Sequence, residues 1–411
     1  MKLFVALVLI VSVILTSVIP DPAAADVQSV PPSITGEAAY LIDVQSGQTL
    51  YSKNANEALA PASTTKIMTG LLAIEKGNLD DQVTATNTLL NNKLVYGTQI
   101  YLTPGETLSL RDLLYALFLN SANDAAVTIA EHIGGNVDNF VDMMNERAKQ
   151  LGATNTHFLN PSGLTQAGHV STAHDLAVIA RAAYQNPVFA DFVRTKTHVI
   201  SRAKPNVPTE MINENKLLWR DDMVNGIKTG YTAAAENCLV ASATKDGRQE
   251  IGVILKSPGG EIYNDMIDLL NYGFDNFDNV VYKPAGTKFA KLPVAKTSVN
   301  LVIDQPIYVT VPTGAEPDPV QLRIIPPKTP LKSVEAGQTV ATLEEWQGDQ
   351  LLNRYPLKSA SSVQPILAAD QHFSPPNPWL FAAGLVLLFL TGSLFRSRWP
   401  QPAKMRRKES H

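Results

Sequence analysis

Apolar and polar positions change rhythm several times along this chain, and the changes divide it. From Ala38 to Ser52 they alternate, with Tyr40, Ile42 and Val44 on one face and Ser46-Gly47 at the centre, which predicts a β-hairpin. After Pro61 the period lengthens. Ile67, Met68, Leu71, Leu72 and Ile74 recur at helical spacing until Gly77, and the pattern is apolar nearly all round, so this helix is expected to be buried. Ser109 and Asp112 form a capping-box pattern opening a second helix through Leu119, and a further apolar run spans Ala125 to Ile133 before Gly134-Gly135. Thr172 and Asp175 open another helix that Asn186-Pro187 ends. Two apolar runs, Cys238–Thr244 and Gln249–Lys256, flank Asp246-Gly247, a strong hairpin signal. Strands at both ends with helices between them predict an α+β sheet domain from about residue 27 to 278.

From Val280 the texture changes. Val299/Leu301/Ile303, Ile307/Val309/Val311 and Leu322/Ile324 alternate with period two, prolines are frequent, and no window reads as a long helix. A small all-β domain over 279–357 is expected, followed by a linker over 358–378 rich in Ser, Ala, Pro and Gln.

Both ends are hydrophobic. Lys2 precedes an apolar run from Leu3 to Ile19, and Ala23-Ala24-Ala25 supplies a small-residue cleavage pattern, so residues 1–25 read as a secretory signal with the mature chain starting at Asp26. An uncleaved anchor is the alternative, because the apolar run is long. Trp379 to Phe395 holds 17 residues without a charge, and at ~1.5 Å per residue it would reach about 25 Å, the short end of what crosses a bilayer. The segment has no polar face, which disfavours a helix lying on the membrane surface. The basic stretch after it, 396–411, is expected to face the cytoplasm and everything upstream the outside. The expected localisation is thus the cell membrane, with a single C-terminal span in the lipid bilayer.

The net charge of −4 carries no polyanion-binding signature, so nucleic acid is not an expected partner. Cys238 is the single cysteine, which excludes an intrachain disulfide and reads as a small core residue on a strand. His157, His169 and His174 show no metal-ligand spacing, and neither a metal nor a cofactor is expected.

Candidate chemistry comes from three short motifs in one order: Ser63-Thr64-Thr65-Lys66, Ser121-Ala122-Asn123 and Lys228-Thr229-Gly230. Ser-x-x-Lys and Ser-x-Asn each recur elsewhere, but only Ser63 begins one that is followed by the other two motifs in turn. Ser63 and Lys66 lie one turn apart on one helix face, so the amine could take the hydroxyl proton if its pKa is lowered by burial or by a second cation such as Lys228. Ser63 at a helix start could also be a simple cap. Ser121 and Asn123 fall where two helices meet; a hydroxyl there can relay a proton and an amide can hold a substrate carbonyl, or both can cap the following helix. Lys228-Thr229-Gly230 precedes the strong hairpin and so belongs on or beside a sheet edge. Lysine and threonine there suit a carboxylate, and glycine allows close backbone approach.

The ordered triple resembles the signature set of penicillin-binding proteins and serine β-lactamases. With Asp43-x-x-Ser46-Gly47, Pro61–Lys66, Asn120–Ala125, Asn160-Pro161-Ser162-Gly163-Leu164 and Gly226–Thr232, the stretch from about Ala39 to Phe277 resembles the low-molecular-weight penicillin-binding proteins, the D-alanyl-D-alanine carboxypeptidases of serine peptidase family S11. The resemblance implies a penicillin-recognition fold that removes the terminal D-alanine from peptidoglycan pentapeptides and is inhibited by β-lactam antibiotics. It implies Ser63 as acyl-enzyme nucleophile, Lys66 as general base, Ser121 as proton relay, and Asn123, Lys228, Thr229 and Gly230 as substrate-binding. It also implies an oxyanion hole from the backbone N–H groups of Ser63 and Tyr231.

Two positions depart from the family pattern. Where some members carry an arginine five residues before the tryptophan, this chain has Glu214, and the region after the final hairpin reads Gly260-Glu261-Ile262. Other readings are open. A class A β-lactamase needs a glutamate between the second and third motifs, and Arg147 to Thr209 contains none. A DD-transpeptidase would differ only in the acceptor that resolves the acyl-enzyme, and a wall-binding module with a dead site is the non-enzymatic alternative.

Overall fold

A computed structural model of the protein describes residues 30–364. The expected signal segment 1–25 and the expected membrane span 379–395 lie outside the described residues. Among the described residues no helix is long and apolar enough to cross a membrane.

A five-stranded antiparallel sheet organises the region up to Asn276. Its strands are β1 (Ala38–Asp43), β2 (Thr49–Lys53), β3 (Val224–Thr232), β4 (Glu236–Lys245) and β5 (Arg248–Ser257), in spatial order β2-β1-β5-β4-β3. Successive side chains of a strand point to opposite faces, and here both faces are covered. Ala38, Tyr40 and Ile42 of β1 enter one core, and Ala39 and Leu41 enter the other. Cys238 and Val240 of β4 divide from Leu239, Ala241 and Ala243 in the same way. Burial on both faces is why the β4 and β5 sequences read as continuous apolar runs rather than as alternation.

On the first face stand α1 (Lys66–Lys76), α2 (Leu110–Phe118), α3 (Asn123–Gly134), α4 (Val137–Leu151), α5 (Ala173–Tyr184) and α6 (Pro187–Arg194); on the second lies α7 (Ile262–Asn276). Helix α1 is buried from Lys66 through Ala73, and burying each large side chain such as Ile67 or Met68 contributes about 1.5–3 kcal/mol. Ser109 and Thr172 accept hydrogen bonds from the backbone N–H of Asp112 and Asp175, the two N-caps expected from the sequence.

Three features differ from the sequence expectation. Pro187 both closes α5 and opens α6, because a proline at the first helical position lacks only an N–H that would have no partner anyway. Helix α4 went unmarked although Phe140, Met144 and Ala148 are deeply buried and Val137, Val141, Met143 and Leu151 pack against the same core, an apolar stripe at helical spacing. Helix α7 went unmarked behind Gly259-Gly260, although Ile262, Met266, Leu269 and Leu270 cover the second sheet face.

The C-terminal region is all β: β6 (Phe277–Lys283), β7 (Lys288–Val294), β8 (Thr297–Val302), β9 (Ile307–Pro312), β10 (Gln321–Ile325), β11 (Thr339–Gln347) and β12 (Gln350–Ser359). The chain divides into two compact units. The larger comprises the residues up to Thr287, Ile303–Ile325 and Ala341–Leu357; within it β6 pairs with β9 and β10 with β11. The smaller comprises Lys288–Val302, Pro326–Val340 and the residues from Lys358; within it β7 and β8 form a hairpin, and Leu301 and Val302 pair with Ser359 and Lys358.

Polar groups stitch the larger unit together around the β1–β2 turn. Buried Asp43 accepts from Asn279 Nδ2 at 2.9 Å and from the Ser46 N–H at 2.7 Å, and Ser46 Oγ lies 2.6 Å from Thr310 Oγ1. Arg181 of α5 donates to the carbonyl oxygens of Val44 at 2.8 Å and Leu352 at 2.9 Å, and to Asn353 Oδ1. Asn353 in turn donates to Ser46 O at 2.7 Å and to Glu345 Oε2 at 2.9 Å.

Candidate active site

The site forms where the start of α1, the α2–α3 junction and edge strand β3 meet. Ala62–Thr65 make a single tight helical turn that runs into α1. Ala62 takes φ of 47° and Ser121 φ of 58°, left-handed values that non-glycine residues adopt at a cost of order 1–3 kcal/mol. Each strained residue belongs to a motif or immediately precedes one, so the fold holds both motifs in conformations the local chain disfavours.

Lys66 is fully buried, and its amine is enclosed by three oxygen atoms. Nζ lies 3.0 Å from Ser63 Oγ, 2.7 Å from Asn123 Oδ1 and 2.7 Å from the carbonyl oxygen of Ser162. As an ammonium it donates to all three. As a neutral amine it keeps two N–H groups for the two carbonyl oxygens and turns its lone pair to the Ser63 hydroxyl, the geometry a general base requires. Burial holds the Lys66 pKa well below the usual lysine range, and the charge of Lys228 pushes the same way; Glu214 and Asp124 oppose them. Burial also lowers Lys228, against the field of Glu214.

Asn123 opens α3 and has both ends of its amide engaged. Its Nδ2 donates to Tyr96 O at 2.6 Å, and its backbone N–H donates to Thr98 O at 2.8 Å. Asp124 next to it accepts from the N–H groups of Ile100 and Leu102 at 3.2 and 2.8 Å. The Ser-Ala-Asn-Asp stretch therefore anchors the 96–102 loop as well as the lysine. The N-cap of α3 is Ala122, with no side-chain cap, so neither Ser121 nor Asn123 serves as the expected cap.

Lys228, Thr229 and Gly230 lie within β3, the sheet edge expected for them. Gly230 is packed against the start of α1: a Cβ there would fall 2.8 Å from Ser63 N and 3.1 Å from Ala62 Cβ. The missing side chain thus admits the protein's own nucleophile turn. Tyr231, the next residue, is exposed. Ser121 and Lys228 are buried and Thr229 half-buried, and none of their side chains has a hydrogen-bond partner among the described residues. Three polar side chains of the second and third motifs are thus uncommitted among the described residues.

Sequence reasoning gave no role to the Asn160–Leu164 loop, whose Ser162 carbonyl holds Lys66. Asn160 Oδ1 accepts from the N–H groups of Ser162, Gly163 and Leu164 at 3.2, 2.8 and 3.1 Å. Gly163, at φ of 84°, sits so close to Ala62 that a Cβ would overlap its carbonyl group. The Asn-Pro and Gly of this segment are turn signals, but a turn signal does not say what the turn touches. His169 is a satisfied core histidine: Nδ1 accepts from Leu159 N–H at 3.0 Å, which leaves Nε2–H to donate to Thr65 Oγ1 at 2.9 Å. Desolvation by burial lowers it to about 4, with smaller effects from His157 and Lys66. Buried Cys238 lies on β4 with its thiol pushed up to about 11 by burial.

Comparison with known proteins follows the same boundaries. Residues 25–259 match the family model of the D-alanyl-D-alanine carboxypeptidases, peptidase S11, and residues 277–365 match that of the penicillin-binding protein 5 C-terminal domain. The chain is 32% identical over 337 residues to the D-alanyl-D-alanine carboxypeptidase DacF of Bacillus subtilis, covering 80% of this chain and 86% of that protein. It is 33% identical to DacC of Escherichia coli, covering 84% and 88%. Among solved structures, penicillin-binding protein 5 of Haemophilus influenzae superimposes with a TM-score of 0.62 at 29% identity, covering 81% of this chain and 98% of that one. A serine-to-alanine mutant of the Streptomyces K15 DD-transpeptidase gives 0.55 at 33% identity, covering 59% and 99%. A penicillin-binding DD-peptidase fold with a C-terminal β domain, its three motifs meeting at the start of α1 through Lys66–Asn123 and Gly230–Ser63, places the chain in the D-alanyl-D-alanine carboxypeptidase family, peptidase S11.

Proposed function

We propose that the protein hydrolyses the terminal D-alanine from peptidoglycan stem peptides through an acyl-enzyme on Ser63, and that β-lactams acylate the same oxygen. The carboxypeptidase activity is that of the family. The observation that carries the residue roles is the Lys66 amine, buried and held 3.0 Å from Ser63 Oγ by two carbonyl oxygens. Neutral Lys66 takes the hydroxyl proton as Ser63 attacks the carbonyl carbon between the two D-alanines. The N–H groups of Ser63 and Tyr231 receive the developing oxyanion. The Ser121 hydroxyl, uncommitted in the free site, passes the proton from Lys66 to the leaving amine. Lys228 and Thr229 take the substrate carboxylate, and the free edge of β3 pairs with substrate backbone. Asn123 contributes through Lys66 and the 96–102 loop as much as through direct contact. Water then resolves the acyl-enzyme with Lys66 as base again.

Residues 1–25 and 379–395 complete the proposal as export signal and membrane anchor, with the catalytic domain outside the membrane. Incubating the 26–364 fragment with an N-acylated pentapeptide ending in D-Ala-D-Ala and measuring released D-alanine tests the reading. No release and no penicillin adduct would refute it. The likeness to a DD-transpeptidase structure favours one second reading, in which an amine resolves the acyl-enzyme. Adding a glycine-terminated acceptor peptide and looking for the ligated product separates the two.

A further inference from the structure

Around the start of α1, three residues reach the loop that carries Asn160. Thr65 Oγ1 accepts from His169, which itself receives the Leu159 N–H. Lys66 Nζ meets Ser162 O at 2.7 Å, and Thr69 Oγ1 donates to Pro161 O at 2.6 Å. Within the loop one buried side chain organises the backbone. Asn160 Oδ1 gathers the N–H groups of Ser162, Gly163 and Leu164, and Nδ2 donates back to Leu164 O at 2.9 Å. An oxygen facing three donors and a nitrogen facing a carbonyl leave the amide one orientation. In a trans peptide the C=O of one residue and the N–H of the next point in opposite directions. The Gly163 N–H, held on Asn160 at 2.8 Å, therefore turns the Ser162 oxygen the other way, onto Lys66. The Ser162 N–H, held at 3.2 Å, likewise turns the Pro161 oxygen onto Thr69. Two successive peptide planes are thus clamped between Asn160 and α1.

We propose that Asn160 is a positioning residue for the reaction, acting through the Ser162 carbonyl to aim the Lys66 lone pair at Ser63. The inference rests on the carboxypeptidase reading and adds to its machinery a residue outside the three motifs. A neutral amine has two N–H groups and one lone pair. Asn123 Oδ1 and Ser162 O, both at 2.7 Å, take the two N–H groups and leave the lone pair to the Ser63 hydroxyl. With Asn123 as the sole fixed acceptor the amine rotates about its Cε–Nζ bond, and an N–H can face Ser63 Oγ where the lone pair belongs. A general base must meet the proton it takes with the correct geometry, and small misplacements of reacting groups are costly in rate. Lys228 and Thr229, which take the substrate carboxylate, have no part in this clamp, so the loss falls on the chemical step and spares binding.

Single-turnover labelling with a fluorescent penicillin reads both quantities, because its concentration dependence gives the noncovalent dissociation constant and the limiting acylation rate. The alkaline plateau, where Lys66 is neutral, is the place to measure. Asn160→Ala is expected to lower the limiting rate roughly a hundredfold with the dissociation constant within about twofold of wild type. Asn160→Asp keeps an oxygen for the three N–H groups and should recover about tenfold or more of that loss. Thr69→Val removes the hydroxyl from Pro161 O, and a fall of about fivefold in the same rate is expected from the loosened loop. An Asn160→Ala rate within about threefold of wild type overturns the inference, as does a loss confined to the dissociation constant or one that Asn160→Asp does not recover. Where Asn160→Ala does not fold, an unchanged limiting rate in Thr69→Val overturns it. Each of these results leaves the carboxypeptidase reading intact. Wild type that forms no penicillin adduct and releases no D-alanine would overturn that reading and this inference together.

Discussion

The Cβ that Gly230 lacks would fall 2.8 Å from the amide nitrogen of Ser63 and 3.2 Å from that of Thr64. Both neighbours are backbone, which cannot swing aside as a side chain can. Gly230→Ala is therefore expected to push β3 away from the nucleophile turn and disturb the distance between the Ser63 and Tyr231 amides. Overpacking of this kind destabilises by about 1–3 kcal/mol, and loss of oxyanion geometry lowers acylation by roughly a hundredfold or more. Thermal melts and the rate of labelling by a fluorescent penicillin measure the two effects. Wild-type labelling by the alanine variant would break the proposed link between this packing and the oxyanion hole.

Ser63→Ala should abolish the covalent penicillin adduct in intact-protein mass spectrometry. Peptide mapping of wild type should place that adduct on Ser63. Among the described residues the hydroxyl's one hydrogen bond is to Lys66, so folding stability should change by only about 1 kcal/mol. An adduct that persists in the variant would move the nucleophile elsewhere.

Acylation should rise with pH through a midpoint well below 10.5, because the base must be neutral and burial, reinforced by Lys228, lowers its pKa. Lys66→Arg keeps the charge but cannot give up its proton. Labelling by that variant within about tenfold of wild type, a barrier change of ~1.4 kcal/mol, would show that Lys66 is not the proton acceptor.

His169 should make the fold acid-sensitive. Its folded pKa of about 4 lies below the ordinary 6.5, chiefly through burial, so between those values the unfolded chain binds a proton that the native state refuses. The contribution is fully present above about pH 6.5 and is lost as pH falls toward about 4, up to about 3 kcal/mol. Urea unfolding of wild type and His169→Gln between pH 7 and 4.5 measures it. A wild-type slope no steeper than the variant's would contradict the assignment.

Much of the site was legible because its chemistry is local. Ser63 and Lys66 are one helical turn apart, and a buried apolar helix already implies a perturbed lysine. The β1–β2 and β4–β5 hairpins announce themselves through Ser46-Gly47 and Asp246-Gly247 for the same reason. What stayed hidden depends on distant contacts. Ser162 holds Lys66 through a backbone carbonyl, which any residue could supply, so its identity carries no signal. Gly230 reads as a place for substrate, and only the three-dimensional packing puts Ser63 there. Helix α4 was legible as well: Val137, Phe140, Val141, Met144, Ala148 and Leu151 recur at helical spacing and pack on the core.

The polar stitching around the β1–β2 turn has a consequence for biosynthesis. Asp43, Ser46 and Arg181 belong to the first half of the chain, yet Asn279, Thr310, Leu352 and Asn353, which satisfy them, emerge last. A nascent chain that has completed α7 holds every motif residue, but there Asp43, Ser46 and Arg181 still face water where their later partners will sit, so the net gain of about 0.5–1.5 kcal/mol per hydrogen bond is not yet made. The order of synthesis therefore delays full consolidation of the catalytic sheet until the final strands have left the ribosome. A ribosome stalled just after residue 277 would display a chain more open to proteases than one stalled with 364 residues exposed.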